Sequence, residues 1–84
     1  MSAEKKLISI FSKSPWYKKL EILRVSNGWN QEETAEKCGT SKRIYWNWEN
    51  GVCMPIKNNR KYISKIFGVP EEDIFSKIEK EQEL

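Results

Sequence analysis

An all-α fold of five short helices is what the sequence predicts, and three observations predict it. Capping and stop signals recur at short intervals, strand signals are nearly absent, and 84 residues are enough for one small domain and not for two. Apolar residues make up 38% and charged residues 32%, the balance of a compact globule rather than of a disordered chain.

Each element has its own signal. Leu7, Ile8, Ile10 and Phe11 suggest a short extra helix ahead of the five, able to cover Ile22. Ser14-Pro15 reads as an N-cap followed by proline at the first helical position, where the missing N–H is no loss. Leu20, Leu23 and Asn27 then share one face, and Asn27-Gly28 ends the first helix. Asn30 with Glu33 makes a reciprocal capping pattern for the second, which stops at Gly39, a position suited to positive φ. Ser41 caps a third helix running to Glu49 and closed by Asn50-Gly51. Pro55 lies in a loop, and Asn58 or Asn59 opens a fourth helix ending at Gly68. Pro70 and the acids Glu71, Glu72 and Asp73 open the fifth, where negative charge suits the helix dipole.

Composition excludes several classes of function. The chain has no histidine, so no Ser-His or Cys-His pair is available and the commonest zinc ligand is missing. Cys38 and Cys53 fit neither a redox motif nor a metal knuckle and are expected to be reduced and separate. Neither a cofactor nor an enzymatic site is expected. No segment approaches the ~20 apolar residues of a membrane-spanning helix. The apolar stretch after Lys5 and Lys6 is too short for a signal peptide and lacks its cleavage site, so a cytoplasmic location is expected. The net charge of +3 hides an asymmetry: residues 1–70 carry 13 basic and 6 acidic side chains, whereas the end of the chain is acidic. A basic body points to a polyanionic partner.

The second and third helices, each of about nine residues and joined by a tight glycine turn, have the helix-turn-helix pattern. The third can be read from its residues alone. At about 100° per residue, Ser41, Ile44, Tyr45 and Trp48 fall on one side and are expected to pack. Lys42, Arg43, Trp46 and Asn47 fall on the other, and this set holds the side chains that suit base edges: Lys or Arg to guanine, Asn to adenine. Cations at a helix start oppose the dipole, which favours a functional reading of Lys42 and Arg43.

Three runs carry a more specific likeness: Trp29-Asn-Gln-Glu-Glu-Thr-Ala35, then Cys38-Gly-Thr-Ser41, then Trp48-Glu-Asn-Gly51. With the ending Ile63, Ile66-Phe-Gly-Val-Pro and Ile74, the chain resembles the Xre/Cro-type family of phage and bacterial repressors over about residues 17–76. The resemblance implies a phage-repressor-like DNA-binding domain at 15–78, between an N-terminal extension at 1–14 and an acidic tail at 79–84. It implies base reading by Lys42, Arg43, Trp46 and Asn47. Trp46 departs from the family, which has a small or polar residue there. It could touch a thymine methyl or a sugar, or fold back over the core or a partner. Thr34 and Cys38 replace the family's leucines and imply a thinner core.

Phosphate contacts are expected from Gln31 and Asn30 at the start of the second helix, the latter with its competing role as an N-cap. Thr40, Ser41, Asn50, Lys57 and Arg60 complete that set. Arg24 and Glu49 correspond to an arginine–glutamate pair that fixes the first helix against the third. Lys5, Lys6 and Lys13 could form a basic arm, although packing of the extra helix is the simpler reading.

The function implied is that of a sequence-specific transcriptional regulator on double-stranded DNA, a repressor binding a palindromic operator as a homodimer. Met54 and Ile56 after the third helix, with Phe75 and Ile78 on the fifth, are the candidate dimer surface. The alternative is a protein-interaction module, antitoxin-like or binding a transcription component, with DNA binding secondary.

Overall fold

The computed structural model describes residues 9–75. Within them the chain is helical, without strands: α1 (9–13), α2 (Trp16–Ser26), α3 (Gln31–Lys37), α4 (Lys42–Glu49), α5 (Lys57–Phe67) and α6 (71–75). The predicted five are α2 to α6, and α1 is the extra N-terminal helix. Leu7, Ile8, Ile78 and the 79–84 tail lie outside the described residues.

Local chemistry starts two of these helices as expected. Glu33 N donates to Asn30 Oδ1 at 2.7 Å and Asn30 N donates to Glu33 Oε1 at 3.0 Å, a complete capping box on α3. Ile44 N donates to Ser41 Oγ at 3.2 Å at the start of α4. Two other starts differ. The N-cap of α2 is Pro15, with ψ 162° and no side-chain cap, one residue later than expected. Ser14 turns its hydroxyl back to donate to Ile10 O at 2.6 Å and so closes α1 instead of opening α2. Helix α5 begins at Lys57 with Ile56 as N-cap, so neither Asn58 nor Asn59 caps it. The extended Ile56 already offers its carbonyl to Arg60 N at 2.9 Å, and both asparagines fall inside the first turn.

The core joins Leu20, Ala35, Cys38, Tyr45, Trp48, Ile63, Ile74 and Phe75, with Phe11, Trp16, Leu23 and Met54 packed against it. Ala35 is small where α3 meets α4, and those two helices and α2 pack together. Thr34 is fully buried but stays satisfied, because its hydroxyl donates to Asn30 O at 2.9 Å. Burial pushes the Cys38 thiol up to about 11, which keeps it protonated; Cys53 is exposed and free. At the far side Lys19 ties three helices together. Its ammonium lies over the Phe11 ring of α1 and donates to Asp73 O of α6 at 2.7 Å.

Two packing expectations are corrected. Ile44 is exposed, because Tyr45, Trp48 and Glu49 take the inward face of α4. Phe75, expected on a dimer surface, is 1% exposed and lies in the core beside Trp16, ring centroids 6.1 Å apart.

Gly51, which ends the α4 region, sets up a test of packing against backbone strain. It has φ +71°, and a Cβ there would lie 3.0 Å from the Tyr17 ring. Gly28 has φ +72° and open space around the same position. Alanine at either site should cost roughly 1–2 kcal/mol for the left-handed backbone. Gly51→Ala should cost more, by the displacement of Tyr17, in a denaturant titration. Equal losses would show that the ring yields freely.

Candidate nucleic-acid interface

Helix α4 is held by a buried polar clamp. Arg24 of α2 donates from Nε to Glu49 Oε2 at 2.8 Å and from Nη2 to Glu49 Oε1 at 3.0 Å, the two-pronged fit of guanidinium to carboxylate. Its remaining Nη1 donates to Trp29 O at 3.0 Å, just ahead of α3. Gln31, the first residue of α3, donates from Nε2 to Glu49 Oε1 at 3.2 Å. One carboxylate therefore fixes the first, second and third core helices relative to one another.

Burial works against a charge on Glu49. The hydrogen bond from Arg24, the Tyr45 hydroxyl and Gln31 outweigh it and hold the carboxyl below its usual range. Among the described residues the buried Tyr45 hydroxyl makes no hydrogen bond of full geometry, and Arg24 and Gln31 are the donors that Glu49 engages. Burial, followed by the neighbouring Glu49 charge, pushes that phenol far up.

With Tyr45, Trp48 and Glu49 turned inward, the opposite side of α4 is Arg43 with Asn47. Lys42, Arg43 and Trp46 are exposed, and Asn47 is half-buried. The first turn of α4 contains no acid, whereas that of α3 holds Glu32 and Glu33. Two cations thus share the α4 N-terminus with the positive end of its dipole. They raise a positive potential there that an anion would relieve.

The remaining expected residues fall into two groups. Thr40 and Ser41 stand at the turn into α4, Asn50 at its end and Lys57, exposed, at the start of α5. The first turn of α5 has no acid and no side-chain cap, so Lys57 adjoins open backbone N–H groups. Asn50, exposed, donates from Nδ2 to Trp46 O at 2.9 Å, which leaves its side-chain oxygen as an acceptor. Asn30 and Gln31 are occupied as already described, Asn30 by its cap and Gln31 by Glu49. Arg60 is turned inward. Its Nη1 donates to Pro55 O at 2.9 Å, its Nε lies 3.7 Å from Glu71 Oε1, and its side chain is 13% exposed. It braces the loop before α5 against α6, which no local spacing could reveal. Met54, half-buried, accepts a long contact from the same guanidinium, and Ile56 is 66% exposed.

Ile44 and the Glu49–Gln31 contact are what reading the sequence missed. Helical period alone leaves Ile44 on the inward side; the burial of Glu49 between α2 and α3 is what turns it out. The helix-turn-helix domain family matches residues 17–80 of the chain. No curated protein and no solved structure matches it.

Proposed function

The chain belongs to the helix-turn-helix domain family of the Xre/Cro-like type, a family of DNA-binding regulators rather than of enzymes, and from that premise we propose that it is a repressor of transcription. In this reading it binds a palindromic operator as a homodimer, with α4 in the major groove of each half-site. The observation that carries it is the outward face of α4: Arg43 and Asn47 opposite the buried clamp, with Lys42 at the same end. Arg43 suits the two acceptors of guanine and Asn47 the donor–acceptor pair of adenine. Lys57, Thr40, Ser41 and Asn50 are positioned around them to meet phosphates, and the backbone N–H groups opening α3 and α5 serve the same end. Arg60 and Phe75, which face inward, are left out of the interface, and Ile56 becomes the principal candidate for the two-fold contact. Among the described residues no helix is long and apolar enough to cross a membrane.

Affinity measurements on a preferred and a random duplex test this reading. Arg43→Ala and Asn47→Ala should each lose about 1–3 kcal/mol on the preferred duplex and little on the random one. Lys57→Ala should weaken both alike and lower the salt dependence by about one unit. Equal losses from Arg43→Ala on the two duplexes would mean that it reads no base. Ile56→Glu should reduce the two-chain complex on a duplex with two half-sites, seen by sedimentation. An unchanged complex would move the two-fold contact elsewhere.

A second reading, docking on another protein with DNA secondary, is favoured by the exposure of Trp46 and Ile56. It predicts no preference among duplexes.

A further inference from the structure

Ile44 is a large apolar residue that the fold leaves outside the core on the very helix that carries Arg43 and Asn47. The inward direction of α4 is defined by Tyr45, Trp48 and Glu49, and the outward direction by Arg43 and Asn47. At 3.6 residues per turn Ile44 lies roughly 90° to one side of that outward line, and Trp46 roughly 75° to the other. Both are 46% exposed. The polar pair is thus bracketed by one apolar side chain on each flank. A single exposed apolar residue is ordinary; a bracket around two base-reading side chains has a consequence for what they can recognise.

A helix with its side chains is about 10–12 Å across and the major groove of B-DNA about 12 Å wide. A helix docked there fills the groove, so side chains on both flanks of its outward line reach the base edges beside those met by the line itself. The apolar group that bases present in that groove is the C5 methyl of thymine. We propose that Ile44 is a specificity-determining residue which, together with Trp46, reads thymine methyl groups on either side of the bases met by Arg43 and Asn47. The proposal rests on the DNA-binding reading above and adds the chemistry of the flanking positions. Burying a methyl against Ile44 or Trp46 stabilises only a site that has one. A cytosine at the same place offers an amine instead and would leave it against an apolar wall.

The experiment uses the whole chain and the duplex it enriches, made with thymine and with uracil at each position in turn. Uracil keeps the base pair and removes only the methyl. Wild-type affinity should fall roughly fourfold at each contacted position, the equivalent of one buried methyl group. Ile44→Ala should lose most of that sensitivity on one flank and Trp46→Ala on the other, with melting temperatures close to wild type because both side chains lie outside the core. A scrambled duplex carrying the same replacements should show no such loss. Equal sensitivity to uracil in wild type and Ile44→Ala at every position would overturn the proposal. So would an Ile44→Ala chain that self-associates less while discriminating thymine from uracil as before, which would assign the residue to a protein contact. A chain that prefers no sequence would overturn both readings. One that prefers a sequence yet ignores its methyl groups would overturn this one alone.

Discussion

Glu49→Ala should lower the stability of the folded chain by about 3–5 kcal/mol, because it strands the Arg24 guanidinium inside the protein without its partner. The Glu49 side chain is 4% exposed and that of Arg24 15%, so solvent cannot step in for either. Arg24→Ala should act similarly, and the double mutant should fall well short of the sum, since each single change creates the penalty the other removes. An apolar pair of similar volume, Arg24→Met with Glu49→Leu, should recover much of the loss. The clamp also sets a pH dependence. A carboxyl held below its usual range contributes stability in full above the unfolded value of about 4.3, and the contribution disappears as pH falls through the lower folded value. Glu49→Gln should therefore be less stable at neutral pH and flatter in its acid limb. Small, additive effects in thermal melts would show that the pair contributes little.

Phe75→Ala should cost about 3–5 kcal/mol, the usual price of removing a fully buried aromatic side chain. The ring is sealed in the core beside Trp16, and Ile74 next to it is buried as well. The loss should loosen α6 from α2 and appear in urea titration as a lowered midpoint. A charged replacement at the same position should leave little folded protein. A Phe75→Ala chain with wild-type stability would mean that the fifth core helix is dispensable.

How much could be read beforehand follows the range of the interactions. Asn30, Glu33 and Ser41 act within four residues of themselves, and their caps were legible from local chemistry. Proline at the start of α2 misled by one residue, because Ser14 had an equally near carbonyl in α1 to bond. The turn through Gly39 and the inward position of Trp48 follow from period and propensity together. Which flank of α4 faces solvent does not. Ile44 and Tyr45 are adjacent, and only the packing of α2 and α3 around Glu49 decides that Tyr45 goes in and Ile44 stays out. Arg60 reads as a phosphate contact beside the recognition helix, yet its partners Pro55 and Glu71 belong to segments on either side of α5. Ile74 and Phe75 are adjacent, and that both enter the core depends on a register that spacing alone leaves open.

In the proposed function α4 reads base sequence. Selection of bound molecules from randomised duplexes by the whole chain at physiological salt tests it most directly. Enrichment of a short motif holding guanine and adenine, repeated with two-fold symmetry about one helical turn away, is the expected result. Retention of duplexes without any enriched motif, at an affinity that falls with salt in the same way for all of them, would contradict it.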